Sequence, residues 1–232
     1  MEKYIVALIF TIIFISGCKH KHDHHPEGHD HSHHQNHSHA NDHMNENSFN
    51  DLVNRFESKE REEYQQPQKV IEYLGDIEGL KIMDIGAGTG YFAFRLAAAG
   101  AQVISADVDD RFIEYVNNKK GELSLSDDQL IIRKIPYDSP LLADKEVDKV
   151  IIVNTYHHIE NRQSYFAKVK KGLKENGELI IIDFLKKDLP VGPPVKMKIA
   201  ENEVKRELEE AGFSKFSINS DLLKYQYIIR AE

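Results

Sequence analysis

Cysteine is nearly absent from this sequence and tryptophan is absent altogether, since the 232 residues include one cysteine, Cys18, and no tryptophan. A single cysteine excludes an internal disulfide framework and a thiolate metal cluster, and it leaves the chain after Cys18 without a thiol nucleophile. An excess of positive charge is also missing, because 30 lysines and arginines are scattered among 38 aspartates and glutamates. No basic stripe marks a nucleic-acid surface, so no nucleic-acid partner is expected. The apolar share of 41% is enough for one globular domain with a buried core.

The longest apolar run at the N-terminus is short for a membrane span. Residues 4–15 are apolar apart from Thr11, whereas a helix that crosses a bilayer needs about 20 residues. A charged start followed by such a run is typical of a secretory signal peptide. The next residues, Ile15-Ser16-Gly17-Cys18, resemble the lipobox of bacterial lipoproteins, which implies that Cys18 carries a diacylglycerol in the cell envelope. We therefore expect a signal peptide over residues 1–17 and a membrane-anchored lipoprotein, with an uncleaved anchor helix as the alternative.

A histidine tract follows, with eleven of the thirteen histidines lying between His20 and His43. Few apolar residues occur there, so residues 18–47 are expected to form a disordered tether rather than part of a core. Neutral imidazole is a good ligand for zinc, nickel and copper, and the irregular repeats allow several rings to close on one ion. The candidate metal ligands are His22, His24, His25, His29, His31, His33 and His34. The alternative is a hydrophilic spacer that merely tolerates metal.

From residue 48 onward, short apolar runs alternate with helical patterns. Ser48 is a candidate cap for a first helix, and residues 48–78 are predicted to form a helical lead-in to a domain over 48–232. The predicted strands are 81–85, 102–106, 130–135, 147–154, 178–184, 215–219 and 225–230, and the helices among them are 89–99, 109–119, 162–173 and 202–211. This alternation predicts an α/β fold with a doubly wound, mostly parallel sheet that is covered on both faces. The last two strands, with no helix between them, predict an antiparallel hairpin at one edge.

A glycine-rich loop, Gly86-Ala87-Gly88-Thr89-Gly90, joins the first predicted strand to the helix that follows it. Glycine allows a sharp turn and a close approach of the main chain to a ligand. The third glycine comes one residue too early for a dinucleotide fingerprint, and no Lys-Ser/Thr pair marks a phosphate loop. Asp107 follows the second strand, where a carboxylate can accept both ribose hydroxyls of a nucleoside. Its alternative role is to cap the next helix, although Asp109 or Asp110 could do so instead.

Several motifs in order make residues 49–232 resemble the class I S-adenosylmethionine-dependent methyltransferases. The segments that carry the resemblance are KIMDIGAGTGYF, VISADVDDRFIEYV, VDKVIIVNTYHHI, NGELIIIDF and ELEEAGF. The resemblance implies a Rossmann-like fold with a seven-stranded sheet. It also implies an enzyme that uses S-adenosyl-L-methionine as methyl donor, with a small molecule as the expected acceptor.

The same resemblance implies the residues of a cofactor site. Asp84 would position the methionine ammonium, and Asp107 would hold the ribose diol. The implied set is Asp84, Gly86, Ala87, Gly88, Gly90, Asp107, Val108, Ile135 and Asn154. One departure from the family pattern follows the third strand, where Ile135 or Pro136 occupies the position of an acidic residue and Asp138 comes slightly late. Adenine is therefore expected to be held by apolar contacts and main-chain groups.

Two histidines follow the fourth strand, at the edge of the sheet where ligands bind in open α/β folds. A neutral imidazole can take a proton from a hydroxyl or an amine, so His157 and His158 are candidate general bases. The alternative is that one ring packs under the following helix while its neighbour lines the cleft.

Two functions are open at this point. The first is a lipid-anchored methyltransferase on a histidine-rich tether, which the glycine loop and Asp107 favour. The second is a non-catalytic, metal-binding lipoprotein whose methyltransferase-like domain is a scaffold or sensor. The missing adenine carboxylate favours this second function, as does an expected location outside the cytosol, where S-adenosylmethionine is made. Neither the acceptor nor the oligomeric state follows from the sequence.

Overall fold

The computed structural model describes residues 47–232, so the predicted signal peptide, Cys18 and the histidine tract lie outside the described residues. Three short helices come first: α1 (Phe49–Phe56), α2 (Lys59–Gln65) and α3 (Pro67–Leu74). Ser48 caps α1 as predicted, because its Oγ accepts a hydrogen bond from the main-chain N–H of Asp51 at 3.2 Å. Pro67 takes the first position of α3, where a missing N–H costs no helical hydrogen bond.

Seven strands form one sheet in the order β3-β2-β1-β4-β5-β7-β6. They are β1 (Lys81–Ile85), β2 (Gln102–Asp107), β3 (Leu130–Lys134), β4 (Val147–Val153), β5 (Leu173–Phe184), β6 (Phe216–Asn219) and β7 (Gln226–Ala231). The first five strands pair in parallel, and β7 runs antiparallel to β5 and β6. The predicted fold is confirmed, including the antiparallel hairpin. The strand order reverses between β1 and β4, which is where open α/β sheets bind ligands.

Helices cover both faces of the sheet. The remaining helices are α4 (Ala93–Ala98), α5 (Asp110–Glu122), α6 (Arg162–Gly172) and α7 (Glu201–Glu210). Neighbouring residues of a strand point to opposite faces, and in β4 Ile151 packs with α3, α4 and α5 whereas Ile152 packs with α6 and α7. Both side chains are fully buried. A strand buried on both faces needs a continuous apolar run, which explains the composition of β4.

Two element boundaries differ from the prediction by four residues or more. The helix expected from Thr89 begins only at Ala93, because the glycine loop continues as turns up to that point. The strand expected from Glu178 begins at Leu173, directly after α6. The register between β4 and β5 shifts after Leu173, and Asn176 lies in the left-handed region with φ of +63°. The intervening polar residues therefore bulge out of the ladder, which hides the start of the strand from a pattern analysis.

A closed ring of three amides ties α2 to the sheet. Gln65 Nε2 donates to Gln226 Oε1 at 2.8 Å, and Gln226 Nε2 donates to Asn154 Oδ1 at 2.5 Å. Asn154 Nδ2 then donates to Gln65 Oε1 at 3.0 Å, which closes the ring. Gln65 and Gln226 are fully buried. Because an unpaired buried amide is unfavourable, this amide ring fixes the end of α2 against the ends of β4 and β7.

We expect Gln226→Leu to lower the free energy of unfolding by about 1–3 kcal/mol. Leucine keeps most of the volume but leaves a donor of Gln65 and an acceptor of Asn154 buried without partners. Urea unfolding followed by circular dichroism measures the change. Gln68→Leu, on the exposed side of α3, is the matched control. Equal effects of the two substitutions would contradict a stabilising role for the amide ring.

Candidate functional site

The glycine loop turns at three residues that lie in the left-handed region. The φ values are +72° at Gly86, +56° at Gly88 and +76° at Gly90. A Cβ at Gly86 would lie 2.4 Å from the Cγ2 of Thr155, at the end of β4. Both the backbone conformation and the contact therefore require glycine at this position. The loop lies directly against the end of β4 as a result.

The Asp107 carboxylate points at this loop. Its Oδ2 accepts a hydrogen bond from the main-chain N–H of Gly88 at 2.8 Å, and its Oδ1 accepts one from the main-chain N–H of Asp109 at 2.9 Å. Helix α5 is capped by Asp109, whose Oδ1 accepts from the N–H of Arg111 at 2.9 Å, so Asp107 is not the cap. A carboxylate oxygen has two acceptor positions, so both oxygens of Asp107 can still accept a ligand hydroxyl. Burial raises the pKa of Asp107.

Asp84 lies in β1 just before the loop and is only 2% exposed. Burial raises its pKa to about 7, against the effect of the Arg61 guanidinium, which lowers it. The neighbouring charge of Asp107 contributes to this rise in pKa, and a main-chain hydrogen bond at Ala93 opposes it. A carboxyl group that titrates near neutrality is stabilised in its ionised form by an added cation, such as the ammonium group of an amino acid.

The lead-in helices close over the glycine loop. A ring carbon of Phe56, at the end of α1, lies 3.3 Å from the position of a Cβ at Gly88. The same ring stacks on Phe112 of α5, with the ring centroids 5.6 Å apart. A nucleoside placed against Gly88 would displace the Phe56 ring, so this side chain has to move before a ligand can enter.

Charged side chains of α2 hold the lead-in helices against the glycine loop. The guanidinium of Arg61 lies 4.1 Å from the centroid of the Tyr91 ring, and its Nη1 donates to the main-chain oxygen of Phe56 at 3.0 Å. Glu62 Oε2 accepts from the Tyr91 hydroxyl at 2.5 Å and from Arg95 Nη2 at 2.8 Å. Tyr91, the first residue after the glycine loop, is therefore the anchor point of α2.

Two buried polar atoms at this site have no hydrogen-bond partner within residues 47–232: Nε of Arg61 and Oγ1 of Thr89. An unpaired buried polar group costs about 1–3 kcal/mol, and such groups often mark a place where a ligand supplies the partner. The glycine loop, the Asp107 carboxylate and these two atoms together fit a ligand that combines ribose with an amino acid. The ligand carboxylate would meet Arg61, and its ammonium would meet Asp84.

The predicted apolar residues lie beside Asp107. Val108 is partly buried and Ile135 is 2% exposed. The main-chain N–H of Ile135 donates to the main-chain oxygen of Asp107 at 3.0 Å. Asp138 is exposed, and its main-chain oxygen accepts from Lys168 Nζ at 2.7 Å. Contact of Val108 and Ile135 with adenine stays a prediction.

Asn154 lies at the end of β4 with φ of +57°. The oxygen and the nitrogen of its amide are both used in the amide ring with Gln65 and Gln226. The structure therefore places Asn154 against α2 and β7, and a contact of its side chain with a ligand would require the amide ring to open.

The two histidines after β4 lie in different surroundings. His157 Nδ1 lies 2.9 Å from Oδ2 and 3.1 Å from Oδ1 of Asp183, near the end of β5. These two side chains are 4% and 2% exposed. The His158 ring lies beside that of His157, with centroids 4.4 Å apart. Burial and, to a smaller extent, the neighbouring His157 lower the pKa of His158 to about 3. His158 is thus a poor proton acceptor.

Asp183 was not among the residues predicted from the sequence. The available signal was one acidic residue at the end of an otherwise apolar strand, in GELIIIDF. Such a residue is buried at the carboxyl edge of the sheet, where it needs a hydrogen-bond partner. The partner, His157, could not be identified from the strand itself.

Aromatic rings and one buried lysine surround the same edge of the sheet. The Tyr64 ring of α2 lies 6.1 Å from that of Phe184 and 6.4 Å from that of Tyr225, measured between centroids. Lys198, in the segment after β5, is 2% exposed, and its Nζ donates to the main-chain oxygen of Lys187 at 2.9 Å. Burial lowers the pKa of Lys198. We call Tyr64, Phe184 and Tyr225 the aromatic wall.

Metal binding is predicted for a part of the chain that the structure does not describe. Within residues 47–232, no group of three or more histidine, cysteine, aspartate or glutamate side chains is arranged to hold a metal ion. The seven candidate ligands from His22 to His34 precede these residues.

Comparisons of the sequence with known proteins identify a methyltransferase family. A family model described as a methyltransferase domain matches residues 76–224. A demethylmenaquinone methyltransferase of Tropheryma whipplei is 26% identical over 111 residues, which is 48% of this chain and 44% of that protein. A ubiquinone biosynthesis O-methyltransferase of Rickettsia felis is 31% identical over 116 residues, or 49% of this chain and 45% of that protein. The chain thus spans about half the length of these curated relatives.

Solved structures show the same fold. An S-adenosylmethionine-dependent methyltransferase from Aquifex aeolicus superposes with a TM-score of 0.71 at 25% identity, over 80% of this chain and 98% of that one. Magnesium protoporphyrin IX methyltransferase from Synechocystis, solved with bound S-adenosylhomocysteine, gives a TM-score of 0.63 at 21% identity, over 83% and 96% of the two chains. The second likeness is one of fold alone.

The raised pKa of Asp84 makes the stability of the protein depend on pH. The pKa is 3.8 in the absence of burial and about 7 in the folded protein, so the folded state holds a proton that the unfolded chain loses between these values. The contribution of Asp84 to stability is therefore greatest at low pH and falls as the pH rises through 7. At 1.36 kcal/mol per pKa unit, the fall is at most roughly 4 kcal/mol.

We expect Asp84→Asn to remove this pH dependence, because asparagine has no proton to lose. Urea unfolding of both proteins at about pH 5 and about pH 8 measures the slope of the free energy of unfolding. Asp144→Asn, at an exposed carboxylate, is the control for loss of one negative charge. An Asp84→Asn slope equal to that of the unsubstituted protein would contradict the burial argument.

Proposed function

This chain belongs to the class I S-adenosylmethionine-dependent methyltransferase domain family, and on that basis we propose that it transfers a methyl group from S-adenosyl-L-methionine to a small-molecule acceptor. The proposal rests on the candidate cofactor-binding site, which is formed by the glycine loop, the Asp107 carboxylate and the two unpaired atoms of Arg61 and Thr89. When bound, the cofactor supplies a methyl group that is already activated by a positively charged sulfur.

The described residues would hold the cofactor through complementary charges. Asp107 would accept the two ribose hydroxyls, and Asp84 would face the methionine ammonium. Arg61 would bind the methionine carboxylate through the Nε that has no partner among residues 47–232, and the Thr89 hydroxyl would supply a further hydrogen bond. The ammonium would also favour the ionised form of Asp84, which is otherwise opposed by burial.

The lead-in helices would exclude water from the reacting atoms. Phe56 already lies over Gly88, and α2 is anchored on Tyr91 through Arg61 and Glu62. Methyl transfer is a displacement in line, so alignment of the acceptor and exclusion of water can supply much of the rate.

The acceptor is proposed to be a small molecule with a flat ring. The aromatic wall lies at the carboxyl end of β5 and the amino end of β7, on the side of β4 away from the glycine loop. Stacking on aromatic side chains favours planar apolar groups. The two curated relatives are named for steps in quinone biosynthesis, which supports the same class of acceptor.

We expect the full-length protein to bind S-adenosylhomocysteine with a Kd of about 10 μM or less, and Asp107→Asn to weaken binding at least about tenfold. The amide of asparagine keeps the shape of the side chain but removes one acceptor and the negative charge that strengthens a hydrogen bond. Isothermal titration calorimetry measures both values. Asp144→Asn is the control, and circular dichroism verifies that each variant is folded.

A folded protein without affinity for S-adenosylhomocysteine would contradict the proposed function. It would favour the non-catalytic, metal-binding lipoprotein, in which the domain is a scaffold. In that case a zinc titration should show sites on the full chain that are lost when residues 20–43 are deleted.

We further propose that the domain is tethered to a membrane of the cell envelope through a lipid on Cys18. The support is the apolar run over residues 4–15 and the lipobox resemblance that follows it. Within residues 47–232, no helix is both long enough and apolar enough to cross a bilayer.

We expect cells that express the full chain and are fed radiolabelled palmitate to incorporate label into the protein, and Cys18→Ala to abolish incorporation because the only thiol is lost. Gel electrophoresis with autoradiography measures the label. Ser38→Ala removes a hydroxyl from the same predicted tether and is the control for the effect of a substitution near Cys18. Label that persists in Cys18→Ala would contradict the proposed lipid attachment at Cys18.

A further inference from the structure

We propose that Asp183 holds His157 as the Nδ1–H tautomer and that His157 Nε2 takes the proton of a hydroxyl group on the acceptor. The inference rests on the proposed function and deepens it, because it assigns the acceptor to the hydroxyl compounds and the transfer to oxygen. In this scheme His157 is the catalytic residue and Asp183 is a positioning residue.

The hydrogen bonds of Asp183 set the tautomer. The main-chain N–H of Phe184 donates to Oδ1 at 2.8 Å, and the main-chain N–H of His157 donates to Oδ2 at 3.3 Å. The His157 Nδ1 lies 3.1 and 2.9 Å from the same two oxygens. A carboxylate can only accept, so Nδ1 must carry the proton of the neutral ring. The lone pair is then on Nε2, at the other side of the ring, where it can accept a proton.

The surroundings favour His157 over His158 as the base. His157 Nδ1 lies 2.9 and 3.1 Å from the two oxygens of the buried Asp183 carboxylate, so the far nitrogen of the ring, Nε2, is left as the acceptor. For His158, burial and the neighbouring His157 disfavour a charge on the ring and together outweigh the opposite effect of the Asp183 carboxylate. His158 therefore stays neutral when His157 takes a proton.

Two further groups face Asp183 from the segments packed against it. Lys198, after β5, and Tyr227, which is paired with Asp183 in the β5–β7 ladder, both interact with its charge. The Tyr227 hydroxyl donates to the main-chain oxygen of Ile199 at 3.2 Å. Lys198 partly balances the negative charge of Asp183, and its Nζ is held on Lys187.

The Asp183–His157 pair lies near the glycine loop, where an acceptor would have to bind to reach the proposed methyl donor. Thr155 follows β4 and contacts Gly86 of the glycine loop, and His157 comes two residues later. Asp183 is on β5, the next strand, so β4 alone separates the pair from β1 and its loop. Phe184 of the aromatic wall follows Asp183 at the same carboxyl end of β5, with its side chain on the opposite face of the strand.

The transfer step balances without any further reagent. The acceptor O–H bond breaks and its proton moves to His157 Nε2, while the oxygen forms a bond to the methyl carbon. The bond between that carbon and the sulfonium sulfur breaks, and its electron pair stays on sulfur as a neutral thioether. The positive charge passes from sulfur to the imidazolium beside Asp183, which later releases the proton to water.

The tautomer can be measured without knowledge of the acceptor. Long-range ¹H–¹⁵N NMR spectra of the full chain in mild detergent, near neutral pH, distinguish the two ring nitrogens, and the His157 signals are identified by their loss in His157→Gln. We expect the Nδ1–H pattern, a change toward Nε2–H in Asp183→Asn, and no change in Asp144→Asn. An Nε2–H pattern or a fully protonated ring in the unsubstituted protein would overturn the proposal, whether or not Asp183→Asn folds.

A matched pair of probe acceptors tests the acceptor class. Catechol offers two hydroxyls and 1,2-diaminobenzene offers two amines on the same ring, and mass spectrometry measures the methylated product. We expect methylation of catechol, slowed by at least about 100-fold in His157→Gln, with S-adenosylhomocysteine affinity changed less than about twofold. Methylation of the diamine alone, of neither probe, or of catechol at an equal rate in His157→Gln overturns the assignment. Retained S-adenosylhomocysteine binding in those cases leaves the proposed function standing.

Discussion

The hydrogen bond from the Gly88 main-chain N–H to the Asp107 carboxylate is the contact on which the candidate site depends. It forms because the loop after β1 turns through three residues with positive φ, which brings a main-chain donor to the end of β2. The same turn presses Gly86 against Thr155 at the end of β4. Three strand ends are therefore held together by contacts of the glycine-loop main chain with the side chains of Asp107 and Thr155, and the residues beyond Thr155 take their positions from that arrangement.

The sheet and the cofactor end of the site follow from local patterns in the sequence. Strands that are buried on both faces need continuous apolar runs, and such runs are visible in β1, β4 and β5. Glycines at a turn and a carboxylate after the next strand are also local features, because main-chain geometry alone decides where they meet. The start of α4 is less predictable, since the sequence from Thr89 onward suits a helix but the loop continues to Phe92.

The acceptor end of the site depends on contacts between residues far apart in the sequence. Gln65 and Asn154 are 89 positions apart, and His157 and Asp183 are 26 apart. No periodicity relates such pairs, since they meet only after the sheet has formed. The resemblance suggested a ligand contact for Asn154, whereas its amide is used to hold α2. The choice of His157 over His158 as the candidate base likewise depends on the contact with Asp183 of β5, which the residues around the two histidines in the sequence do not reveal.

The position of Phe56 over Gly88 has a consequence for kinetics. For the proposed cofactor to enter, the Phe56 ring would have to move away from Gly88, so the measured dissociation constant would equal the intrinsic one divided by the fraction of molecules that are open. The demethylated product would leave by the same route, and each turnover would include an outward and a return movement of this ring. Residence time and dissociation constant are then set in part by aromatic packing among Phe49, Phe56 and Phe112, which lies outside the chemistry of the transfer.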